Sequence, residues 1–254
     1  MNRGLKLSLL SLLWIGLSTW PTVLVVAKKD RNQPQGHFGI LTPYKPGPFE
    51  TTLSKSDEKL LADGKPVMKQ TLPTKEDPEG GGALCVQDIE APKAAVWNQI
   101  LDLGAYKGKV PKIIASKNYV DKKNPDGTNR IKTRLVIGVM PGYSYESYYD
   151  HIYHPRESSM TWTLDYEKTS DFEDVAGHWH VEDHPTKPNA CRVFYACDVK
   201  MKASVPGPIL NYLSKQALKQ ATGWVKKESE KNPDARPASQ YAVPEESVAG
   251  GWRR

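Results

Sequence analysis

Hydrophobic and polar residues alternate with a period of two through the middle of the chain, which is the pattern of strands buried on one face. The alternation is cleanest in Arg130–Val139, where Ile131 and Leu135 share one face and Lys132 and Arg134 the other. The same pattern predicts further strands at Ala83–Ile89, Ile114–Asp121, Tyr143–Tyr153, Ser158–Tyr166, Phe172–Glu182 and Arg192–Ala203, with Val67–Leu72 as a candidate edge strand.

A period of three and four residues marks the helices. Pro206–Lys227 is predicted to be one long amphipathic helix, because a single face carries Leu210, Leu213, Ala217, Ala221 and Trp224. A shorter helix follows Ala91-Pro92, with Val96 and Trp97 on its apolar face. Another begins after Ser54, a favourable N-cap, and stops at Gly64.

The order of these elements predicts an α+β fold. Six strands between the second helix and the last are joined by short turns, and such turns force antiparallel pairing. A sheet with one apolar face needs a layer to cover it, and the long C-terminal helix supplies that layer. A second short helical or looped piece is expected at Tyr106–Ile113, after the helix that follows Ala91-Pro92. From Ala83 onward we therefore expect about seven strands, in the order β-α-α-β6-α, wrapped around the last helix.

The ends of the chain differ from the domain. Residues 1–27 combine a basic start at Arg3 and Lys6, an apolar stretch at Leu7–Leu17 and small residues before Lys28, which predicts a cleaved signal peptide. The protein would then enter the secretory pathway or leave the cell. The alternative is an uncleaved anchor, or a signal for an organelle, because Leu7–Ala27 could just span a bilayer. Residues 28–82 form an extension with one short helix, residues 83–230 the domain, and residues 231–254 a disordered tail.

The net charge and the number of cysteines argue against some classes of partner and against a disulfide framework. The formal net charge is +6, and two of these charges lie in the N-terminal segment, so the remaining bias is too weak to indicate nucleic acid. Three cysteines are too few for a disulfide framework. Cys191 and Cys197 lie on one strand, about 20 Å apart, and cannot pair, whereas Cys85 could meet either.

Three short motifs resemble the START-like, or helix-grip, superfamily, including its polyketide cyclase/dehydrase and coenzyme Q-binding branches. They are Val86-Gln87-Asp88-Ile89-Glu90-Ala91-Pro92 followed by Val96-Trp97, then Gly177-His178-Trp179-His180-Val181, then Val205-Pro206 leading into the last helix. The resemblance covers about residues 83–230. It implies a strongly curved sheet that grips the C-terminal helix, with an apolar cavity between them.

Alternate residues of a strand lie on opposite faces, and this strand parity predicts which residues line the wall of that cavity. Aromatic rings with a few polar groups suit a large hydrophobic ligand. The alternative is that the rings fill a closed core. The expected ligand-binding residues are Tyr143, Tyr145, Tyr149, His151, Tyr153, Trp162, Trp179, Met201 and, on the helix, Leu213.

Histidines at two places in the sequence are candidates for chemistry. His178, His180 and Glu182 share one strand face and could approach a metal ion together. Because that face lies opposite Trp179, we expect it to be convex and solvated, and we predict no metal site and no cofactor. His151 is a candidate acid or base on the inner face, although a hydrogen-bonded wall residue is the simpler interpretation.

The sequence therefore favours a carrier of a hydrophobic small molecule, such as a lipid, quinone, pigment or polyketide. We expect no nucleic-acid partner, a monomer, and transient membrane contact at most. The alternative is a polyketide cyclase-type enzyme that uses His151 and the nearby tyrosines. A carrier needs only an apolar cavity, whereas an enzyme needs reactive groups placed within reach of each other.

Overall fold

The computed structural model describes residues 29–48, 50–71, 80–202 and 217–243. Residues 31–82 belong to the same compact unit as the predicted domain. The predicted signal peptide, the first half of the predicted C-terminal helix, including Leu210 and Leu213, and the end of the predicted tail lie outside the described residues. No helix in the described ranges is long and apolar enough to cross a bilayer.

Eight strands form one antiparallel sheet in the order β1-β2-β8-β7-β6-β5-β4-β3. The predicted α+β class is confirmed, with eight strands in place of about seven, because the candidate edge strand pairs with β2. The strands are β1 Val67–Thr71, β2 Gly80–Ile89, β3 Ile113–Lys123, β4 Asn129–Met140, β5 Tyr143–His154, β6 Ser159–Leu164, β7 Asp174–Asp183 and β8 Cys191–Lys200.

Irregular pairing bends one end of the sheet. The register shifts twice between β3 and β4, and once between β4 and β5 next to Gly138. Such shifts increase the local twist and curl the strands. The predicted Asp126-Gly127 turn joins β3 to β4, with Gly127 at a φ of 87°, a conformation that glycine adopts without strain. The curvature gives the sheet a concave and a convex face.

Three α-helices accompany the sheet within the described ranges. Helix α1, Lys55–Ala62, begins as predicted at Ser54, whose side chain caps Asp57 in a reciprocal capping box. Helix α2 spans Lys93–Leu101, and a short 3-10 turn follows at Leu103–Ala105. Helix α3 spans Leu218–Lys231.

Helix α3 is fixed to the concave side of β2 by polar contacts as well as packing. The Gln87 side-chain amide donates to the Thr222 carbonyl at 3.1 Å, and the Lys226 ammonium donates to the Asp88 carbonyl at 2.7 Å. Trp224 packs against Tyr106, with ring centroids 4.9 Å apart. The helix therefore covers the concave face at the β2 side.

The extension covers the convex face. Residues 31–48, here called the N-terminal segment, have no regular secondary structure but bond repeatedly to the sheet and its loops. Arg31 forms a bidentate pair with Asp171, and Tyr44 donates to Asp198 at 2.8 Å. Helix α1 adds an ion pair between Glu58 and Arg192. A second apolar cluster forms there from Leu61, Val67, Val86 and Phe194.

Residues 232–243, the described part of the predicted tail, contact the domain. Ser239–Tyr241 forms a 3-10 turn, and Tyr241 is only 8% exposed. Its hydroxyl donates to Asp121 at 2.7 Å, and its ring lies against Tyr153. The packed ring and the hydrogen-bonded hydroxyl of Tyr241 therefore fix this part of the chain, although its composition is rich in proline and alanine.

Candidate functional site

A cavity of about 290 Å³ lies between the concave face and helix α3. Strands β4 to β8 supply its wall, and Ala217, Leu218, Ala221 and Trp224 close it from the helix side. Its volume is close to the roughly 300 Å³ at which small-molecule pockets begin. The interior is therefore not completely filled by side chains.

Aromatic rings form a continuous track along the cavity wall. Tyr149 lies 5.9 Å from His151, which lies 5.9 Å from Trp162, between ring centroids. Trp162 then contacts Tyr195 at 5.7 Å, and Tyr195 contacts Trp179 at 4.6 Å. Such a surface offers a flat ligand both large apolar contact area and favourable ring geometry.

Gly177 explains how Trp162 reaches this position. The indole lies directly over the backbone of β7, and a Cβ at Gly177 would fall 2.0 Å from its Cζ2 atom. Gly177 pairs with Trp162 across the two strands. The glycine of the predicted Gly-x-Trp motif is therefore needed for close approach of a ring to the sheet.

His151 is buried at 4% exposure on strand β5 and contacts the cavity. Its Nδ1 lies 3.2 Å from the Ile131 carbonyl oxygen. A carbonyl can only accept, so Nδ1 carries the proton and Nε2 of the neutral ring is an acceptor. Burial lowers the pKa of His151 to about 4, so the imidazole is neutral at pH 7.

The described lining contains no aspartate, glutamate, lysine or arginine. Burial also raises the pKa values of the ionisable lining groups. The Cys197 thiol has its pKa raised to about 12, and the pKa of the Tyr149 hydroxyl is raised as well. All these groups are uncharged near neutral pH, so the described wall favours uncharged ligands.

The rim of the cavity comes from segments outside the central strands. Tyr106, Val110 and Pro111 follow helix α2, while Thr71 and Gly80 lie at the facing ends of β1 and β2. The Tyr106 hydroxyl donates to the Ile100 carbonyl at 2.7 Å, which fixes the ring against Trp224. In the described part of the rim, packing and the buried Tyr106 hydrogen bond hold this loop, together with the Val110 amide, which donates to the Tyr106 carbonyl at 2.9 Å.

The structure brings five of the nine nominated residues to the cavity: Tyr149, His151, Trp162, Trp179 and Met201. Tyr145 lies on the same face but stacks on Phe172, with ring centroids 5.0 Å apart. Tyr153 packs on Trp97 at 4.8 Å. Tyr143 is 37% exposed at the start of β5. Leu213 lies outside the described residues.

The set of ligand-binding residues predicted from the sequence omits other residues that line the cavity. Leu135 and Ile137 on β4, and Tyr195 and Cys197 on β8, share the inward parity of their strands, so the alternation already contained that signal. Residues of the loop after helix α2 carry no such signal. Parity assigns a face only to residues in a strand.

The histidines of the convex face are not solvated, which corrects the sequence-based expectation. His178 is 1% exposed and His180 5% exposed. Tyr44 of the N-terminal segment stacks on His178, with ring centroids 5.9 Å apart and planes at 10°. Within the described ranges, no group of three or more histidine, cysteine or acidic side chains is arranged to hold a metal ion.

The cysteines lie buried as free thiols. Strand β2 does lie beside β8, as pairing of Cys85 would require. The register, however, places Cys85 opposite Tyr195 and Cys197 opposite Ala83. Burial raises the pKa of Cys85 to about 11, so its thiol is protonated and unreactive near neutral pH.

No protein-family model and no curated protein matches this sequence. Solved structures do match. A STAR-related lipid transfer protein from Xanthomonas axonopodis superposes with a TM-score of 0.50 at 12% identity, over 64% of this chain and 93% of that chain. With the strand order above, this likeness shows a START-like helix-grip fold, as predicted.

Two further solved structures have lower scores. A START superfamily protein from Mycobacterium smegmatis has a TM-score of 0.46 at 19% identity, over 65% of this chain and 97% of that chain. An aromatase/cyclase from a Streptomyces species has a TM-score of 0.47 at 13% identity, over 65% and 95% of the two chains.

Proposed function

We propose that this protein binds and carries a hydrophobic small molecule, such as a lipid, quinone, pigment or polyketide, in the cavity under helix α3. The observation that carries the proposal is the cavity itself: about 290 Å³ of space beside a track of five rings, with no charged side chain in its described lining. Affinity would come mainly from removing apolar ligand surface from water.

The likenesses agree with this class of function at a coarse level. The solved structures that the fold resembles are named as a lipid transfer protein, a START superfamily protein and an aromatase/cyclase. Fold alone does not define the ligand. The proposal for this chain therefore depends on its own cavity residues.

Native mass spectrometry of the purified protein, followed by solvent extraction, tests the proposal. We expect a co-purified hydrophobic molecule that stays with the native protein and is released by denaturation. Ala221→Trp would fill the cavity from helix α3 and should abolish co-purification. Lys219→Trp adds the same ring to an exposed position on that helix and should retain the ligand.

Equal ligand content in these two variants would contradict binding in this cavity. Both variants need comparable thermal unfolding for the comparison to count, because overpacking alone can destabilise a core. If wild-type protein is empty, titration with a panel of lipids, quinones and polyphenols replaces extraction, with the same pair of variants as the control.

A cyclase-type enzyme is the second candidate, favoured by one observation. His151 presents a neutral imidazole to an apolar cavity beside Tyr149, and such a ring can accept a proton from a bound substrate. Its low pKa makes it a weak base, which favours the carrier. Conversion of a polyketide substrate by wild type, but not by His151→Phe, would reverse this preference.

Transient membrane contact is proposed at the end of the sheet where β3 begins. Ile114 is 51% exposed and Tyr143 37% exposed there, while the neighbouring Ile113 contacts the cavity. We expect Ile114→Asp to weaken flotation with phosphatidylcholine vesicles. Val243→Asp, at a 57% exposed residue elsewhere, is the control and should have no effect.

We further propose that the mature protein is a secreted monomer beginning at Lys28. Expression of the full chain in a secreting host should give an extracellular product with that N-terminus and a monomeric mass by light scattering. Retention of the whole chain in membranes would favour the anchor instead.

A further inference from the structure

His151 gives the cavity wall a polar atom whose hydrogen-bonding role is fixed. The Nδ1–H of His151 donates to the Ile131 carbonyl, so the remaining ring nitrogen, Nε2, can only accept. In the described part of the chain, Nε2 has no hydrogen-bond partner. It lies on the ring edge away from the Ile131 carbonyl, and His151 is one of the residues that line the cavity.

Several other polar groups of the wall have partners or can adapt. The Tyr106 hydroxyl donates to the Ile100 carbonyl, and the Trp224 indole N–H donates to the Ala221 carbonyl at 2.8 Å. The hydroxyls of Tyr149 and Tyr195 can each donate or accept. The indole N–H groups of Trp162 and Trp179 can only donate. Nε2 of His151 is therefore the acceptor of the ring track that cannot also donate, and it constrains the hydrogen bond that a ligand can make there.

We infer that the natural ligand is an uncharged molecule with an alcohol or phenol hydroxyl, which donates a hydrogen bond to Nε2 of His151. This inference rests on the proposed carrier function and adds the class of ligand. By the same chemistry, the site prefers a quinol to the corresponding quinone, and a free phenol to its methyl ether.

Two costs in binding free energy disfavour ligands that only accept hydrogen bonds and ligands that carry a carboxylate. A ligand that only accepts hydrogen bonds would displace water from Nε2 and leave a buried acceptor without a partner, which weakens binding by roughly tenfold or more. A carboxylate would also lose its hydration, and the described lining supplies no cation to replace it. Because burial lowers the pKa of His151, its imidazole stays neutral near pH 7 and cannot supply the missing positive charge.

Three naphthalene probes of nearly the same shape separate these chemistries: 2-naphthol, 2-methoxynaphthalene and 2-naphthoate. Isothermal titration calorimetry at pH 7 with the full-length protein, freed of any co-purified ligand, gives each affinity. We expect 2-naphthol to bind about tenfold or more tightly than its methyl ether, and 2-naphthoate to bind most weakly. Equal affinity for the first two overturns the inference and leaves the carrier function intact, whereas binding of none of the three overturns both.

Two variants assign the preference to a residue. His151→Phe removes the acceptor and keeps a ring, so we expect the preference for 2-naphthol to disappear while 2-methoxynaphthalene binds as before. Tyr149→Phe removes the neighbouring hydroxyl and should keep most of the preference. A preference that survives in folded His151→Phe but is lost in Tyr149→Phe would overturn the assignment to His151.

Discussion

The two faces of the sheet bury similar side chains in different ways. On the concave face, His151 lies in a ring track beside empty space. On the convex face, His178 is equally buried, but a segment without secondary structure covers it, and Tyr44 stacks on its ring. The concave face thus has open space beside its rings, while the convex face is covered by another segment of the protein.

Backbone hydrogen bonds explain how an irregular segment seals the convex face. The amide groups of Ile40 and Leu41 donate to one carboxylate oxygen of Asp174, at 2.6 and 2.8 Å. The Gly47 amide donates to the Ser159 hydroxyl at 2.9 Å. Polar residues on this strand face therefore satisfy the backbone of the covering segment, and their polarity does not signal exposure.

Asp174→Ala should break this arrangement with the largest effect. Asp174 is fully buried and also accepts from the Tyr166 hydroxyl at 2.9 Å. Its loss leaves four donors without their partner, because the Val175 amide also donates to Asp174 at 2.9 Å, so we expect the free energy of unfolding to fall by about 4 kcal/mol. Urea denaturation measures the loss, and limited proteolysis should show new cleavage within residues 35–48.

Asp174→Asn is the matched control, because it retains the shape and one acceptor oxygen. It should lose less stability than Asp174→Ala and show slower cleavage of the N-terminal segment. Cleavage of wild type and Asp174→Ala at the same rate would show that the segment does not depend on this carboxylate.

Lowering the pH should destabilise the protein through the buried histidines of both sheet faces. Burial lowers the pKa values of His151 and His178 to about 4, below the usual 6.5 of the unfolded chain. Between these values the unfolded state binds more protons, so stability falls as the pH falls from 6.5 to 4. Each histidine should account for about 3 kcal/mol of that loss.

Single variants separate the contributions of the two faces. Denaturant unfolding of His178→Phe and of His151→Phe, from pH 7.5 to 4, should show a shallower pH dependence than wild type in each case. Saturating 2-naphthol should steepen the acid loss in wild type, because it binds the neutral form of His151, and should not do so in His151→Phe. An unchanged slope in both variants would contradict buried, neutral histidines.

Sequence periodicity predicted the strands closely. Arg130–Val139 was expected and Asn129–Met140 is observed, and the cap at Ser54 is where the local signals placed it. Parity also gave the correct face for Trp162 and Trp179. These features depend on local spacing, which the sequence contains directly.

Sequence periodicity could not predict that the N-terminal segment covers the convex face. Residues 31–48 have no period, and their contacts link backbone amides to residues more than 100 positions away, such as Asp174. The rim residue Tyr106 lies in a loop, where parity assigns no face. Likewise, strand parity cannot separate Trp162, which contacts the cavity, from Tyr153, which packs beside it on Trp97.

The smallest predicted effect tests the close packing of the concave face. Gly177→Ala places a methyl group against the Trp162 indole, which must move into the cavity, so we expect about 2 kcal/mol of destabilisation and weaker binding of 2-naphthol. Gly223→Ala is the control: its Cβ meets nothing within 4 Å on helix α3, and better helix propensity should stabilise it by roughly 0.5–1 kcal/mol. Thermal unfolding and calorimetric titration of both variants measure these changes. If Gly177→Ala leaves stability and 2-naphthol affinity unchanged, the indole does not rest on the sheet, and the ring track would lose its central member.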